Sequence, residues 1–587
     1  MDISGANRQP ENVMSGMFEG STRTASYPDL NRQISTSTTS RPHPLNVKPG
    51  GNQLLGDPEP SSGKATKSQL LGYLDILPES LLLELLSYVE SADTLRSLAH
   101  TSRIMYAYLY DEEIWRRLYF RQSSVSNGNL ELKWRGSWRK TLLQINTEAL
   151  VTVHRNQLCS DVIYRPFQCS QIDYERLFHK IIVEEEKYHK DALEGVLGIL
   201  PEGRIQRFQE NEMHIERFRN QWTNKPFILV NNDANRWPQW DLDTLAERFS
   251  DVKFRQELAQ WDLSHYVQYA RTNKDELPLY LFDCSSDAMK ELRKEYKAPA
   301  IFQEDLFKVW EQEGKPCCRP DYAWIIMGPA RTGSTFHKDP NYTSAWNTAL
   351  VGRKIWIMFP PDILPPGVGI DGEESEVTAP VGIAEWVISG FFNDSLKVPG
   401  CQVAVTFPGE CMYVPSGWWH SVINIDESVA LTQNFVPQQL LANGLFFLKN
   451  KREQISGFYP AKVCEAIGDF LQNQRSDENE DEDMDKIRNY LIQFEKLDEA
   501  LKQEDCGEIT EDKLTAMPIF ELYKKFLIAS GHGLELTKAL QKLQVLEENE
   551  RAKRLQNMPP KHSDKWEKLT ELTCFTFNFD NSDSDED

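Results

Sequence analysis

Between residues 205 and 436 the chain breaks into short apolar runs, each bounded by Pro, Gly, Asn or Asp: KPFILVNN, PLYLFDCS, AWIIMGP, RKIWIMFP, QVAVTFPG, CMYVPSGWW and SVALTQNFV. Runs of this length, rich in Val, Ile, Phe, Tyr and Trp, fit strands and not helices. So many strands in one stretch must bury their faces against one another. A small β-barrel or a two-sheet jelly roll is the expected arrangement.

Helical spacing takes over on both sides. Leu81, Leu82, Leu85, Leu86 and Val89 follow a Pro78-Glu79 start, a second stripe runs through Leu95, Leu98 and Ala99, and Asp111, Ile114, Trp115 and Arg116 close the unit. Such a small helical unit carries more Leu than it can bury alone, so it needs a partner surface or the following domain. The fold class expected is multidomain α+β. Its divisions are a disordered Ser/Thr/Pro-rich N-terminus (1–68), a helical module (69–120), a helical linker (121–204), the barrel (205–436), a helical C-terminal region (437–574) and a Phe-rich, acidic tail (575–587). In that tail Phe575, Phe577 and Phe579 alternate as on a strand.

Charge and cysteine usage narrow the function classes. The 65 Lys+Arg against 88 Asp+Glu give −23, which disfavours nucleic acid and favours basic partners. Seven carboxylates sit in an acidic insert at 475–486, expected to be solvated, and four more in the closing NSDSDED. The block LKWRGSWRKT interleaves Lys133, Arg135, Arg139 and Lys140 with Trp134 and Trp138, which suits either a single-strand nucleic-acid platform or, as the better expectation, a linker packing the helical module onto the barrel. No run approaches the roughly 18 apolar residues of a membrane helix, and the ten Cys form no CxxC pair. A soluble protein of a reducing cytosolic or nuclear compartment is expected.

The strongest chemistry lies in GPARTGSTFHKDPNYTSAWNTALVGRKIWIMFP. His337 and Asp339 are two apart, so on a strand both leave the same face. His420, after the Pro-Ser-Gly turn of VPSGWWHSV, is the third ligand a jelly roll could fold back beside them. Two His and one carboxylate suit non-haem Fe(II), and zinc hydrolases could use the same set. Lys354 interrupts an apolar strand on the face of Trp356 and Met358, where a buried anion is its natural partner. Ser334, Asn347, Thr432, Asn434 and Tyr280 are polar residues placed to hold an acid. Trp324, Trp346, Trp418 and Trp419 either wall such a cavity or pack in the core.

These residues carry two resemblances. The strings HxDPxxTSAWNxxxxGxKxW, VPxGWWHxVxNxD and TQNF resemble the JmjC (jumonji C) class of Fe(II)- and 2-oxoglutarate-dependent oxygenases, in particular the phosphatidylserine-receptor-like branch. The resemblance implies a double-stranded β-helix (jelly-roll/cupin) fold, iron ligands at His337, Asp339 and His420, and 2-oxoglutarate contacts at Lys354, Asn347, Tyr280 and Thr432. Ser334 stands where this branch often has Thr and keeps the hydroxyl. Decarboxylation of 2-oxoglutarate by O2, with oxidation of a substrate C–H bond, is the implied reaction. Leu77-Pro78, the run LLLELLSYVESADTL and the Asp111-x-x-x-Trp115-Arg116 ending resemble an F-box, which implies docking of a Skp-type adaptor of a cullin ubiquitin ligase through residues 77–116.

Two functions follow. One is an oxygenase hydroxylating or demethylating Lys/Arg side chains of basic proteins such as histones, working on chromatin in the nucleus and also in the cytoplasm. The other is an F-box adaptor whose barrel only recognises the ligase substrate. In either case the docking and barrel sites are expected on separate folding units.

Overall fold

The computed structural model describes residues 71–109, 112–125, 132–145, 172–473, 481–502 and 515–557, except for 257–258, 274, 276, 312, 372–376, 379–381 and 389. The N-terminal stretch 1–68 and the tail 575–587, with Phe575, Phe577 and Phe579, lie outside the described residues.

Among the described residues fifteen strands follow in chain order: β1 (Arg207–Gln209), β2 (Phe227–Val230), β3 (Lys253–Gln256), β4 (Ala259–Asp262), β5 (Leu281–Asp283), β6 (Ala323–Gly328), β7 (Gly333–His337), β8 (Ser344–Val351), β9 (Lys354–Phe359), β10 (Gly369–Ile370), β11 (Val377–Thr378), β12 (Gln402–Thr406), β13 (Cys411–Val414), β14 (Trp419–Asn424) and β15 (Ser428–Phe435). Two sheets face each other, one ordered β1-β2-β13-β8-β15-β6-β5-β3-β4 and the other β12-β9-β14-β7; β10 and β11 pair apart. This is the expected jelly roll. Period-two alternation assigns the faces. Inward, Trp356, Met358, Ala404 and Val422 of the small sheet meet Ala345, Met412 and Val414 of the large one. Outward, Ile355, Ile357, Phe359, Val403 and Val405 pack under Phe178, Ile182 and Trp386.

The helical module covers the outer face of the large sheet. Leu82, Leu86, Leu95, Trp115, Trp134 and Trp138 belong to one apolar cluster with Ile325, Met327, Trp346 and Leu431. Trp138 donates to the Asp275 carboxylate at 2.9 Å, Trp134 to the Thr272 hydroxyl at 2.8 Å, and Arg116 to the Leu277 carbonyl at 2.9 Å. The tryptophans of LKWRGSWRKT are therefore spent on packing, and the module shares a core with the barrel instead of standing apart from it. The reason is its surplus of Leu and Trp, which the neighbouring sheet buries.

C-terminal helices Leu441–Asn450, Pro460–Asn473, Glu482–Lys502, Ile519–Ala529 and Gly533–Asn557 close a second core with Leu306, Phe307 and Trp310. Here the acidic insert differs from expectation. Its second half starts the helix Glu482–Lys502, with carboxylates in the first turn where the helix dipole favours them. Asp481 and Asp483 pair with Lys525 and Lys524 at 2.5 and 2.6 Å. The six cysteines among the described residues are free, and no helix among those residues is long and apolar enough to cross a membrane.

Candidate metal and co-substrate site

β7 and β14 run antiparallel with His337 opposite His420, their ring centroids 4.2 Å apart. Close approach of the two strands depends on Gly333, where a Cβ would stand 1.9 Å from the Val422 carbonyl oxygen. Asp339 lies just past the end of β7 in extended backbone. Ligand atoms of His337, Asp339 and His420 all fall within 4.8 Å of one another, and this is the only such His/Cys/Asp/Glu group among the described residues.

Each imidazole uses Nδ1 toward a backbone carbonyl, His337 to Thr335 at 2.8 Å and His420 to Trp418 at 3.1 Å. A protonated Nδ1 leaves Nε2 as the lone-pair donor a metal needs. Burial pushes the Asp339 carboxyl up, against the pull of His337 and the Asn434 amide, and burial with His337 alongside drives the His420 imidazole well below its usual range. One Asp339 oxygen, Oδ2, is buried with no hydrogen-bond partner. A half-satisfied buried carboxylate beside two imidazoles fits a divalent cation, and the donor set suits iron(II) with coordination positions left over.

Deeper between the sheets stands Lys354, fully buried. Its Nζ donates to the Tyr280 hydroxyl at 3.0 Å and to Asn424 Oδ1 at 2.8 Å, both neutral. No ion pair of Lys354 is found among the described residues. Asn347 and Thr432 face each other across β8 and β15. Asn347 Oδ1 is buried without a partner, while the Thr432 hydroxyl donates to the Trp346 carbonyl at 2.9 Å. Asn434 turns its amide to Thr343 Oγ1 at 2.8 Å, beside the Asp339 turn.

Ser334 shows what strict alternation misses. Three residues before His337 it should point the other way, but a bulge pairs Ser334 with Val422 and His337 with His420, so both share the inner face. Of the four tryptophans, Trp418 lies in the inner cluster and Trp324 stands opposite Thr432. Trp346 and Trp419 pack outside, in the clusters on the two outer faces. Sequence reasoning missed Asn424 and Thr332, both fully buried, with the Asn424 amide donating to Thr332 Oγ1 at 2.7 Å. Asn424 was findable: it lies four residues after His420 on one strand, hence on the same face.

Comparison with known proteins fits this geometry. The cupin-like domain family matches residues 197–440, and the F-box-like family matches residues 74–121. The arginine-specific demethylase JMJ22 of Arabidopsis thaliana is 34% identical over 401 residues, covering 66% of this chain and 73% of that protein. The bifunctional arginine demethylase and lysyl-hydroxylase psr-1 of Caenorhabditis elegans is 31% identical over 250 residues, 39% of this chain and 61% of the relative. With the 2-oxoglutarate and iron-dependent oxygenase JMJD4 of Mus musculus the identity is 27% over 215 residues, 35% of this chain and 46% of that one. With its cupin-like barrel, F-box-like helices and a relative of this identity and span, the chain belongs to the JmjC family of iron(II)- and 2-oxoglutarate-dependent oxygenases.

Proposed function

We propose that the chain oxidises Lys or Arg side chains of basic proteins, histones among them, by hydroxylation or by removal of N-methyl groups, and that it does so in the nucleus. The observation that carries the co-substrate site is Lys354, a buried cation held only by neutral groups on the same inner wall as His420. In this reading His337, Asp339 and His420 hold iron(II), Lys354 and Tyr280 take the distal carboxylate of 2-oxoglutarate, and Asn347, Thr432, Ser334 and Asn434 line its path. Iron, when bound, supplies the electron transfer by which 2-oxoglutarate, O2 and R–H become succinate, CO2 and R–OH. The chain's own part is positioning: Lys354 anchors the acid in a water-poor interior, and Trp324 and Trp418 keep that interior dry. Relatives named as arginine demethylases and a lysyl-hydroxylase support the substrate class.

Mass spectrometry of Lys/Arg-rich peptides, methylated and unmethylated, after incubation with enzyme, iron and 2-oxoglutarate is the test. Hydroxylation adds about 16 Da and loss of a methyl removes about 14 Da. Succinate formation with every such peptide unshifted retires the substrate class. No succinate at all retires the enzyme reading.

A specific observation favours a second, coexisting role. Tyr73, Ile76, Leu81, Leu85 and Tyr88 of the F-box-like module are 96, 84, 53, 50 and 65% exposed, an apolar face left uncovered by the shared core. We assign to the part of this face within residues 77–116, carried by Leu81, Leu85 and Tyr88, the docking of a Skp-type adaptor. Pull-down with such an adaptor should succeed for the intact chain and fail for the Leu81→Ala/Leu85→Ala double variant; failure with both removes the role.

A further inference from the structure

The chain leaves Asp339 through a turn that no glycine relaxes. Asn341 and Tyr342 stand in succession at φ 55° and 51°, a left-handed conformation rare for any side chain and exceptional for an aromatic one. Such backbone persists only where its surroundings over-determine it, and it clusters at functional sites.

Those surroundings come from the C-terminal region. Asn341 is 3% exposed, its Nδ2 donates to the Ser456 carbonyl at 3.0 Å, and its Oδ1 accepts from the Ser456 N–H at 3.2 Å. The Tyr342 ring packs 4.9 Å from Phe447 of the helix Leu441–Asn450. The Tyr342 carbonyl accepts from Ser416 Oγ at 2.7 Å, and Ser416 Oγ in turn accepts from Asn443 of the same helix at 3.3 Å. On the other side the Thr343 hydroxyl donates to the Pro340 carbonyl at 2.9 Å. Every bond of the clamp lies within four residues of Asp339 on the turn side, and the Ser456 end lies 115 residues further along the chain.

We propose that Asn341 is a positioning residue for Asp339: locked to the Ser456 backbone, it holds the turn that aims the Asp339 carboxylate, so the C-terminal helical region is a working part of the metal centre. The inference rests on reading His337, Asp339 and His420 as metal ligands. It assigns the helices after the barrel a role that a family match ending at residue 440 leaves open.

Mn(II) binding to the full chain, followed by electron paramagnetic resonance without 2-oxoglutarate, tests it. Asn341→Gly keeps the left-handed backbone and removes both clamp bonds, whereas Asn341→Asp tolerates the same backbone and keeps one acceptor. Mn(II) affinity should fall about 10- to 100-fold in Asn341→Gly and by less in Asn341→Asp, with an altered resonance line shape reporting a displaced ligand. A lowered thermal midpoint with wild-type Mn(II) affinity and line shape would overturn the proposal, leaving Asn341 a purely structural clamp. If Asn341→Gly does not fold, Asn341→Asp is read alone on the same criterion. Asp339→Ala separates the two levels of failure: wild-type Mn(II) affinity in that variant defeats the ligand reading and the proposal with it, while loss in Asp339→Ala alone defeats only the positioning role.

Discussion

Arg207 and Lys354 are both fully buried cations in the same protein, and their environments are opposite. Arg207 on β1 meets Glu185 at 2.8 Å and Glu410 at 2.8 Å, and donates to the Val405 carbonyl at 2.6 Å. His189 adds a contact to Glu410 at 2.8 Å. These bonds tie the helix His179–Leu193, β1 and the β12–β13 turn together. The carboxylates share the guanidinium unequally: burial outweighs its pull at Glu185, whose carboxyl goes up, while at Glu410 burial is overcome by Arg207 and His189, which hold the carboxyl down. Lys354 has two neutral partners and no carboxylate. A buried cation whose counter-ions are built in is structure; one whose partners are neutral is built to take an anion from outside.

The largest effect that would break this comparison is on stability. Arg207→Met should cost about 3–5 kcal/mol, because Glu185 and Glu410 lose their shared buried counter-charge and keep only Arg204 at 3.6 Å and His189 at 2.8 Å. Denaturant unfolding measures it, and a loss below about 1 kcal/mol would mean the network is not holding the fold.

Glu112 offers a smaller, pH-dependent case. Partly buried at the junction of module and barrel, it accepts from the Arg139 N–H at 3.1 Å, and burial, opposed by Arg139 and reinforced by Asp275, raises its pKa to about 7. A carboxyl raised on folding binds its proton more tightly in the native state, so its contribution is complete below about pH 4.5 and is lost as pH rises through about 7. Glu112→Gln should therefore gain stability over wild type as pH goes from about 4.5 to 8, by roughly 1–2 kcal/mol after allowance for solvent screening. Parallel stability curves for the two proteins would contradict this.

Asn347→Ala sharpens the contrast at the polar wall. Its Oδ1 has no partner, so truncation should weaken 2-oxoglutarate binding about 5- to 10-fold and leave stability within about 1 kcal/mol. Titration calorimetry and unfolding on the same samples give both numbers. The smallest stability effect belongs to Lys354→Met, expected to be neutral or stabilising by up to about 1 kcal/mol since it removes a charge with no counter-ion. Destabilisation matching that of Arg207→Met would erase the distinction.

Much of this was legible from local pattern. Lys354 stood out because it interrupts an apolar strand, His337 and Asp339 because a spacing of two puts them on one face of a strand, although Asp339 lies just past the end of β7, and His420 because a Pro-Ser-Gly turn precedes it. The Arg207 network was not legible, since Glu185 and Glu410 lie 22 and 203 residues away and nothing local couples them. Ser334 needed the bulge, which period two does not encode, and Asn424 was passed over although its spacing from His420 pointed to it. Packing of the module onto the barrel was legible in the Trp-rich LKWRGSWRKT linker, but the excess of Leu alone left open whether a partner protein or the following domain would cover it.

Lys354 is tested most directly by titrating 2-oxoglutarate into the Mn(II)-loaded protein and its Lys354→Met variant, with Mn(II) affinity determined on both. Losing a charged hydrogen-bonding partner in a buried site is worth about 3 kcal/mol, so 2-oxoglutarate affinity should drop roughly 100-fold while Mn(II) affinity stays unchanged. Equal 2-oxoglutarate affinity in the two proteins would contradict the account, because the acid would then be held by some group other than the buried lysine.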